Sequence, residues 1–300
     1  MPTDRTIEWA SLHERGSMDM LRIMTILSLH LGRRTARMVL YGIAAYFFVF
    51  APQSRRHSRI YLRRALKREP SALDRYRHLL SFATTIHDRL YLINDRYDLF
   101  DISVAGDQLV SDQLARGEGV FLMGAHMGSF EVMRAVGRAQ PGLRVAMAMY
   151  EDNAKKINAM LAAVNPRLTP DIIALGSLDS MLRIRAALDA GAFVGVLGDR
   201  TLREEPSVRV PFLGALAPIP TSAMRAAAML RRPVIFMAGL YRGGNRYHVV
   251  FAQLADFSTT TPQDRDSAVH AAIKRYVALL EHYCHSDPYN WFNFYDFWHP

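Results

Sequence analysis

The sequence predicts an α/β protein, a mixed and largely parallel sheet flanked by helices, preceded by a helical N-terminal region. Apolar residues recur at helical spacing through residues 1–100, whereas short apolar runs alternate with helical stretches from about residue 105 onwards. Half of the 300 residues are hydrophobic and 22% are charged, which is ordinary for a globular chain. We therefore expect two parts, a helical region at residues 1–100 and an α/β domain at residues 101–300.

The N-terminal region combines positive charge with one long apolar run. Residues 1–70 carry 13 basic and five acidic side chains, so this quarter holds most of the net charge of +9. The run Met38–Ala51 lies between arginine clusters. As a helix it would reach about 21 Å, short of the roughly 30 Å hydrocarbon core of a bilayer. We expect it to associate with membrane lipids on one leaflet, as a peripheral or monotopic segment. The alternative is a buried core helix with solvated arginines around it.

Composition and motifs argue against several other classes. The opening MPTDRTIEWA does not resemble a secretory signal peptide. The single cysteine, Cys284, cannot form an internal disulfide and suits a reducing compartment. His282 and His285 lie beside it, but three or four convergent ligands are needed for zinc, so no metal site is expected. Because the sequence has no helix-turn-helix, zinc-finger or RNP-type motif, no nucleic-acid partner is expected.

The α/β part divides into elements that follow one another along the chain. Short apolar runs bounded by glycine or polar residues predict strands at Val120–Met123, Val145–Met149, Asp171–Leu175, Phe193–Leu197 and Val208–Phe212. Helical spacing of apolar residues predicts helices at Glu131–Arg138, Ala154–Ala163, Leu178–Ala190, Thr221–Leu230 and Ser267–His282. Val234–Leu240 and Tyr247–Phe251 flank Gly243-Gly244-Asn245, which predicts a hairpin.

The segment that carries chemistry is Gly124-Ala125-His126-Met127-Gly128-Ser129-Phe130-Glu131. It follows a predicted strand and precedes a predicted helix, so His126 leaves the strand end and Glu131 falls in the first helical turn. A turn at Gly128 would let the carboxylate of Glu131 reach the imidazole of His126. A histidine oriented in this way can deprotonate an alcohol or amine that attacks a thioester. The alternative is a structural histidine and a glutamate favoured by the helix dipole.

The sequence resembles the late acyltransferases of lipid A biosynthesis, the lauroyl and myristoyl transferases, within the lysophospholipid and glycerolipid acyltransferase superfamily. The resemblance covers most of the chain. It rests on the H-x4-E box at His126 and Glu131, and on these further segments: Leu31-Gly32-Arg33, Tyr46-Phe47, Gly198-Asp199-Arg200 and Val210-Pro211-Phe212-Leu213-Gly214. It implies a glycerolipid acyltransferase-like sheet and a membrane-facing N-terminal region.

The resemblance also implies an activity. A fatty acyl group would pass from an acyl carrier protein or coenzyme A thioester to a hydroxyl or amine of a lipid or glycolipid, at the cytoplasmic face of a bacterial inner membrane. His126 would be the general base and Glu131 its partner, and no cofactor beyond the thioester donor is expected. Gly128 is expected to contact substrate by a close approach of its backbone to the thioester carbonyl. Asp199, Arg200 and Arg203 are also expected to contact substrate, and the strand end before Asp199 is where open α/β sheets bind ligands.

The sequence departs from the family pattern at two places, so it does not decide the identity of the acyl acceptor. The acceptor is lipid A, another glycolipid, or a pigment-type product if the chain belongs to a side branch of the family. Met149-Tyr150-Glu151-Asp152-Asn153 has no arginine where lipid A enzymes carry one, and the aromatic tail at residues 289–298 differs from theirs. The tail is expected to pack in the core, form a lid or line an acyl tunnel. Two rival functions are a thioesterase or lipid hydrolase using the same base, although no G-x-S-x-G elbow is present, and an inactive membrane-binding scaffold.

Overall fold

The computed structural model of the chain describes residues 18–140, 142–151, 171–176, 178–201 and 205–299, with single positions at 153, 155, 159, 161, 164 and 165. Within these residues eight α-helices are assigned. They are α1 Met18–Phe50, α2 Pro52–Ala65, α3 Ala72–Ile93, α4 Asp107–Arg116, α5 Glu131–Ala139, α6 Leu178–Asp189, α7 Ser222–Met229 and α8 Arg265–Ser286. The helix expected at Ala154–Ala163 falls largely outside the described residues.

Among the described residues, seven strands form one mixed sheet, and two more form a separate hairpin. The sheet has the order β1-β9-β8-β2-β5-β3-β4, and every neighbouring pair is parallel except β8 and β9. The hairpin joins β6 to β7. The bounds are β1 Asp101–Ala105, β2 Phe121–Gly124, β3 Val145–Tyr150, β4 Asp171–Leu175, β5 Phe193–Leu197, β6 Ser207–Phe212, β7 Ala215–Pro220, β8 Pro233–Tyr241 and β9 Arg246–Asp256. The expected α/β fold with a mixed, largely parallel sheet is therefore confirmed.

The centre of the sheet is apolar and is covered by helices on both faces. All four residues of β2 and the first eight of β8 are buried, as expected for strands covered by helices on both sides. Helix α8 packs on one face through Ile273, Tyr276 and Leu280, while α5 packs on the other through Val132 and Val136. These buried central strands therefore position the loops that leave their carboxyl ends.

Helices α1 and α3 lie side by side and antiparallel. Tyr91 on α3 donates to the Ser28 carbonyl, and Tyr76 near the start of α3 donates to the Tyr41 carbonyl. Between them Arg33 forms a bidentate ion pair with Asp88, at 2.7 Å for each bond. Tyr247 on β9 donates to the same carboxylate at 2.8 Å. This buried network joins α1, α3 and the sheet.

The second half of α1 keeps an apolar face in solvent. Its exposed side chains are Met38, Val39, Tyr41, Tyr46, Phe47, Val49 and Phe50. The helix is broken at Gly32, whose φ is +79°, and it is followed by α2 at an angle of 94°. In the described part of the chain no single helix is long and apolar enough to cross a bilayer. The bent pair Gly32–Phe50 and Pro52–Ala65 passes that test only when both helices are counted together.

Candidate active site

His126 and Asp199 meet at one edge of the sheet because they follow neighbouring parallel strands. β2 and β5 pair in a register that places Gly124 beside Leu197, and the Gly198 N–H donates to the Gly124 carbonyl at 3.0 Å. The next residues of both strands therefore emerge together, although they are 73 positions apart in the chain. Carboxyl ends of strands are where open α/β sheets bind their ligands.

The imidazole of His126 is oriented by the carboxylate of Asp199. Asp199 Oδ1 lies 2.8 Å from His126 Nδ1, and both carboxylate oxygens lie 3.1 Å from the backbone N–H of His126. Because an ionised carboxylate only accepts hydrogen bonds, the imidazole proton lies on Nδ1 and the lone pair on Nε2. Nε2 has no hydrogen-bond partner among the described residues, and the ring lines an open cleft. Nε2 is therefore placed to accept a proton from a bound molecule.

The electrostatics of the pair favour a neutral imidazole beside an ionised carboxylate. Burial and the positive charge of Arg200 lower the pKa of His126 from its ordinary value, and they outweigh the attraction of Asp199. Burial of Asp199 opposes ionisation, but His126, Arg200 and the hydrogen bond from Asn293 together hold the pKa of Asp199 well below its usual range. At neutral pH this is the charge state that a general base needs.

Glu131 contacts Arg89 and not His126. Its Oε1 lies 2.7 Å from Nε of Arg89 on α3, and no hydrogen bond joins it to His126 within the described residues. The expected pairing of Glu131 with the imidazole therefore differs from the structure, in which Asp199 takes that place. The reason is local: α5 begins at Glu131 itself, and its side chain is directed towards α3. A role of Glu131 in the reaction stays a prediction, now with Arg89 as its contact.

The turn between His126 and Glu131 requires glycine. Gly128 has a φ of +65°, and a Cβ atom there would lie 2.0 Å from the Gly239 carbonyl oxygen on β8. Its N–H donates to the Asn290 carbonyl at 2.8 Å. Gly128 also lines the cleft, and its contact with substrate stays a prediction, because its conformation and close packing already account for the absence of a side chain.

The cleft in front of His126 has a volume of about 280 Å³ and two kinds of wall. Its charged or titratable lining residues are Arg89, His126, Glu131 and Arg200. Its large apolar lining residues include Phe82, Ile86, Met133, Leu197, Met237 and Phe292. A cleft of this composition suits an apolar chain whose polar end lies at the histidine.

The remaining residues expected to contact substrate differ in their placement. Arg200 lines the cleft, but its Nε donates to Asn293 at 2.7 Å and one terminal nitrogen donates to the Phe292 carbonyl at 3.1 Å. Asp199 is completely buried behind His126, so it contacts the imidazole where contact with substrate was expected. Arg203 lies outside the described residues.

Three residues that sequence reasoning did not single out contribute to the site. Arg89 faces the cleft from α3, and Trp291 and Asn293 donate to Asp199 Oδ2 at 3.0 and 2.8 Å. A polar residue in an otherwise aromatic stretch was the available signal for Asn293. No sequence signal identifies Arg89 as a site residue, because an arginine in an amphipathic helix is usually solvated.

The cysteine and the histidines near it take no part in the site. Cys284 is buried, and burial raises the pKa of its thiol well above the ordinary value, which makes it a poor nucleophile. His285 Nδ1 lies 2.7 Å from the Ala65 carbonyl. In the ranges that the structure describes, no three His, Cys, Asp or Glu side chains converge as metal ligands would.

Comparison with known families gives a match over nearly the whole chain. The family model for bacterial lipid A biosynthesis acyltransferases matches residues 7–299, from before α1 to the last described residue. A search of curated proteins gives no significant match. The matched range includes both strand ends that carry His126 and Asp199, and it includes the helices that carry the exposed apolar face. The chain therefore belongs to the bacterial lipid A biosynthesis acyltransferase family, and it is an acyltransferase.

Proposed function

We propose that this protein moves a fatty acyl group from an acyl carrier protein or coenzyme A thioester to a hydroxyl or amine of a lipid or glycolipid acceptor. His126 acts as the general base, and Asp199 orients it. The observation that carries the proposal is the imidazole with Nδ1 fixed by a buried carboxylate and Nε2 facing a cleft. The same arrangement of base and orienting carboxylate activates hydroxyl groups in unrelated enzymes.

The proposed reaction needs one proton transfer in each direction. Nε2 of His126 takes the proton of the acceptor hydroxyl while its oxygen attacks the thioester carbonyl carbon. The carbonyl oxygen becomes an oxyanion, which collapses as the carbon–sulfur bond breaks. The imidazolium returns its proton to the departing thiolate. The products are an acyl ester, or an amide when the acceptor is an amine, and the free thiol of the donor, so no other reactant is required.

Arg89 supports this chemistry as a cation in the cleft wall. Negative charge develops on the thioester oxygen during the attack, and a fixed cation or hydrogen-bond donor stabilises it best when it needs no reorientation. The 2.7 Å contact with Glu131 holds Arg89 in one place, and both side chains are mostly buried. We therefore assign Glu131 to the positioning of Arg89.

The acceptor reaches the cleft from a lipid surface in this proposal. Phe82 and Ile86 line the cleft and are also exposed, and they lie on α3, which runs beside the apolar face of α1. We name these exposed apolar side chains of residues 38–50, together with Phe82 and Ile86, the membrane patch. Exposed Arg56 and Arg63 on α2 lie near anionic headgroups when the patch meets a leaflet. The protein is then held on the cytoplasmic face of the inner membrane.

The test is an acyl transfer assay with purified protein. Acyl carrier protein and coenzyme A, each loaded with a radiolabelled acyl group, are supplied separately with an extracted lipid pool. The label is then followed into lipid and into free fatty acid. We expect labelled lipid with the unchanged protein and none with His126→Ala. Label appearing only as free fatty acid would instead indicate a thioesterase, and equal transfer by folded His126→Ala would overturn the assignment of the base.

A further inference from the structure

The segment that follows α8 crosses the catalytic loop. Residues 290–298, which we name the C-terminal strap, pair with the loop that carries His126. The Phe292 N–H donates to the His126 carbonyl at 2.7 Å, and the Gly128 N–H donates to the Asn290 carbonyl at 2.8 Å. These bonds lie on either side of the bridge between Met127 and Trp291. The backbone around the base is therefore held by the strap as well as by the sheet.

The strap also supplies two side-chain donors to the carboxylate behind the base. Trp291 Nε1 and Asn293 Nδ2 both donate to Oδ2 of Asp199, at 3.0 and 2.8 Å, while Oδ1 is 2.8 Å from His126 Nδ1. The side chains of Trp291, Asn293 and Asp199 are all buried. Both oxygens lie 3.1 Å from the backbone N–H of His126, but their side-chain partners differ, and the strap donors fix which oxygen faces the imidazole.

The strap is itself fixed from the side opposite the catalytic loop. His78 on α3 donates from Nε2 to the Trp291 carbonyl, and its Nδ1 accepts from Ser58 on α2, both at 2.9 Å. Burial lowers the pKa of His78 to about 4, so the ring is neutral and makes both bonds at neutral pH. Asn290 exchanges two further bonds with the backbone of Tyr241 on β8. A segment anchored in this way can hold its donors without reorganisation.

We propose that Trp291 and Asn293 are positioning residues of the acyl transfer reaction. Their hydrogen bonds to Asp199 fix the orientation of its carboxylate and the share of negative charge on each oxygen, and Asp199 in turn orients His126. This inference rests on the proposed function, since it assumes that His126 is the base. Donors on Oδ2 draw negative charge away from Oδ1. Losing one donor makes Oδ1 a stronger partner for the imidazolium, so the pKa of His126 rises and less neutral base is present at a given pH.

Other groups that bear on the titration of His126 come from several elements. Arg89 on α3 and Glu131 on α5 face the same cleft, and Asp199 and Arg200 follow β5. Tyr276 on α8 donates to the Gly124 carbonyl and Tyr295 of the strap lies under Arg200. Burial raises the pKa of both tyrosines, so they stay neutral in the range in which His126 titrates. Of these groups, Asp199 is the one that accepts a hydrogen bond from Trp291, so a change at Trp291 acts on His126 through that carboxylate.

The chain offers a matched pair of tryptophans for the test. Trp291→Phe keeps an aromatic ring among Tyr61, Phe212 and Phe297 but removes the N–H that reaches Asp199. Trp298→Phe is the control, because Trp298 is equally buried in the strap but donates to the Phe212 carbonyl at 3.2 Å. We expect Trp291→Phe to lower kcat about tenfold, the scale of one hydrogen bond to a charged acceptor, with KM nearly unchanged. Trp298→Phe should leave kcat per folded molecule unchanged.

A second measurement reports on the base directly. The acid limb of the kcat/KM profile should move to higher pH by about half a unit or more in Trp291→Phe and in Asn293→Ala, and stay in place in Trp298→Phe. The NMR signal of the His126 imidazole can be assigned because it is absent from the spectrum of His126→Ala. In a pH titration without substrate, the pKa read from this signal should shift by the same amount.

The variants distinguish a strap that is only structural from a base that is wrongly assigned. If His126→Ala is inactive but Trp291→Phe and Trp298→Phe lose activity equally, with the acid limb and the imidazole titration unmoved, the strap is only structural and the inference is wrong. If folded His126→Ala retains transfer, the proposed function is wrong whatever the tryptophan variants show.

Discussion

Replacing Asp199 with asparagine tests which carboxylate directs the base. Oδ2 of Asp199 accepts from Trp291 and Asn293, so in Asp199→Asn the amide oxygen should occupy that position. The amide NH₂ then faces Nδ1 of His126, where it can only donate. Nδ1 must become the acceptor, the imidazole proton moves to Nε2, and the base loses the lone pair that faces the cleft.

The size of the effect follows from this change of tautomer. In enzymes with the same arrangement, an amide in place of the orienting carboxylate costs on the order of 10⁴ in kcat. We expect a loss of about 10³–10⁴ here, or about 4–5.4 kcal/mol of barrier. Glu131→Gln is the matched change at the other carboxylate. The glutamine oxygen can still accept from Arg89, so a loss of only about tenfold is expected.

The assay measures kcat and KM for both variants under identical conditions, with near-ultraviolet circular dichroism and Tm to establish that each variant is folded. We expect the loss of kcat in Asp199→Asn to exceed the loss in Glu131→Gln by at least tenfold. A nearly inactive Glu131→Gln beside a nearly normal, folded Asp199→Asn would show that Glu131 is the partner of the base in the working enzyme.

Three further predictions concern the base and the exposed arginines of α2. His126→Ala should lower kcat by about 10²–10⁴ without lowering vesicle binding, measured by acyl transfer and co-sedimentation, and an active folded variant would contradict this. Because burial lowers the pKa of His126, activity should fall with decreasing pH through a midpoint below about 6.5, and a kcat/KM profile with a higher midpoint would contradict it. Arg56→Gln with Arg63→Gln should weaken binding to anionic vesicles at low salt more than Arg116→Gln with Arg183→Gln, which removes the same charge from α4 and α6. Equal binding by the two pairs would show that α2 does not face the lipid.

The sheet was largely predictable because its central strands are short apolar runs between breakers. The bounds of β4 and β5 agree with prediction at every residue, and the Gly243-Gly244 hairpin is confirmed. Three elements were not predicted, for physical reasons. β1 is an edge strand with a mostly exposed, mixed sequence, α4 has few apolar residues, and β7 contains two prolines that ordinarily argue against a strand.

The site was predictable only where its residues are close in sequence. His126 follows from the strand, the glycine turn and the helix start. Its pairing with Asp199 depends on β2 and β5 being neighbours, and no local pattern specifies the order of strands. The same limit applies to Trp291 and Asn293, which reach Asp199 from 92 and 94 residues away. A position at a strand end favours a substrate contact for Asp199, but the complete burial of its side chain places it behind the base.

The ion pair between Arg33 and Asp88 has a consequence for how the enzyme should be extracted from cells. Both side chains are mostly buried, and separating such a pair leaves an uncompensated charge at a cost of about 3–5 kcal/mol. Asp88 precedes Arg89 on α3, so we expect a detergent that lifts α1 away from α3 to disturb the cation in the cleft as well. Mild detergents or lipid nanodiscs should therefore preserve turnover, whereas harsher solubilisation should yield protein that is soluble, largely helical and inactive.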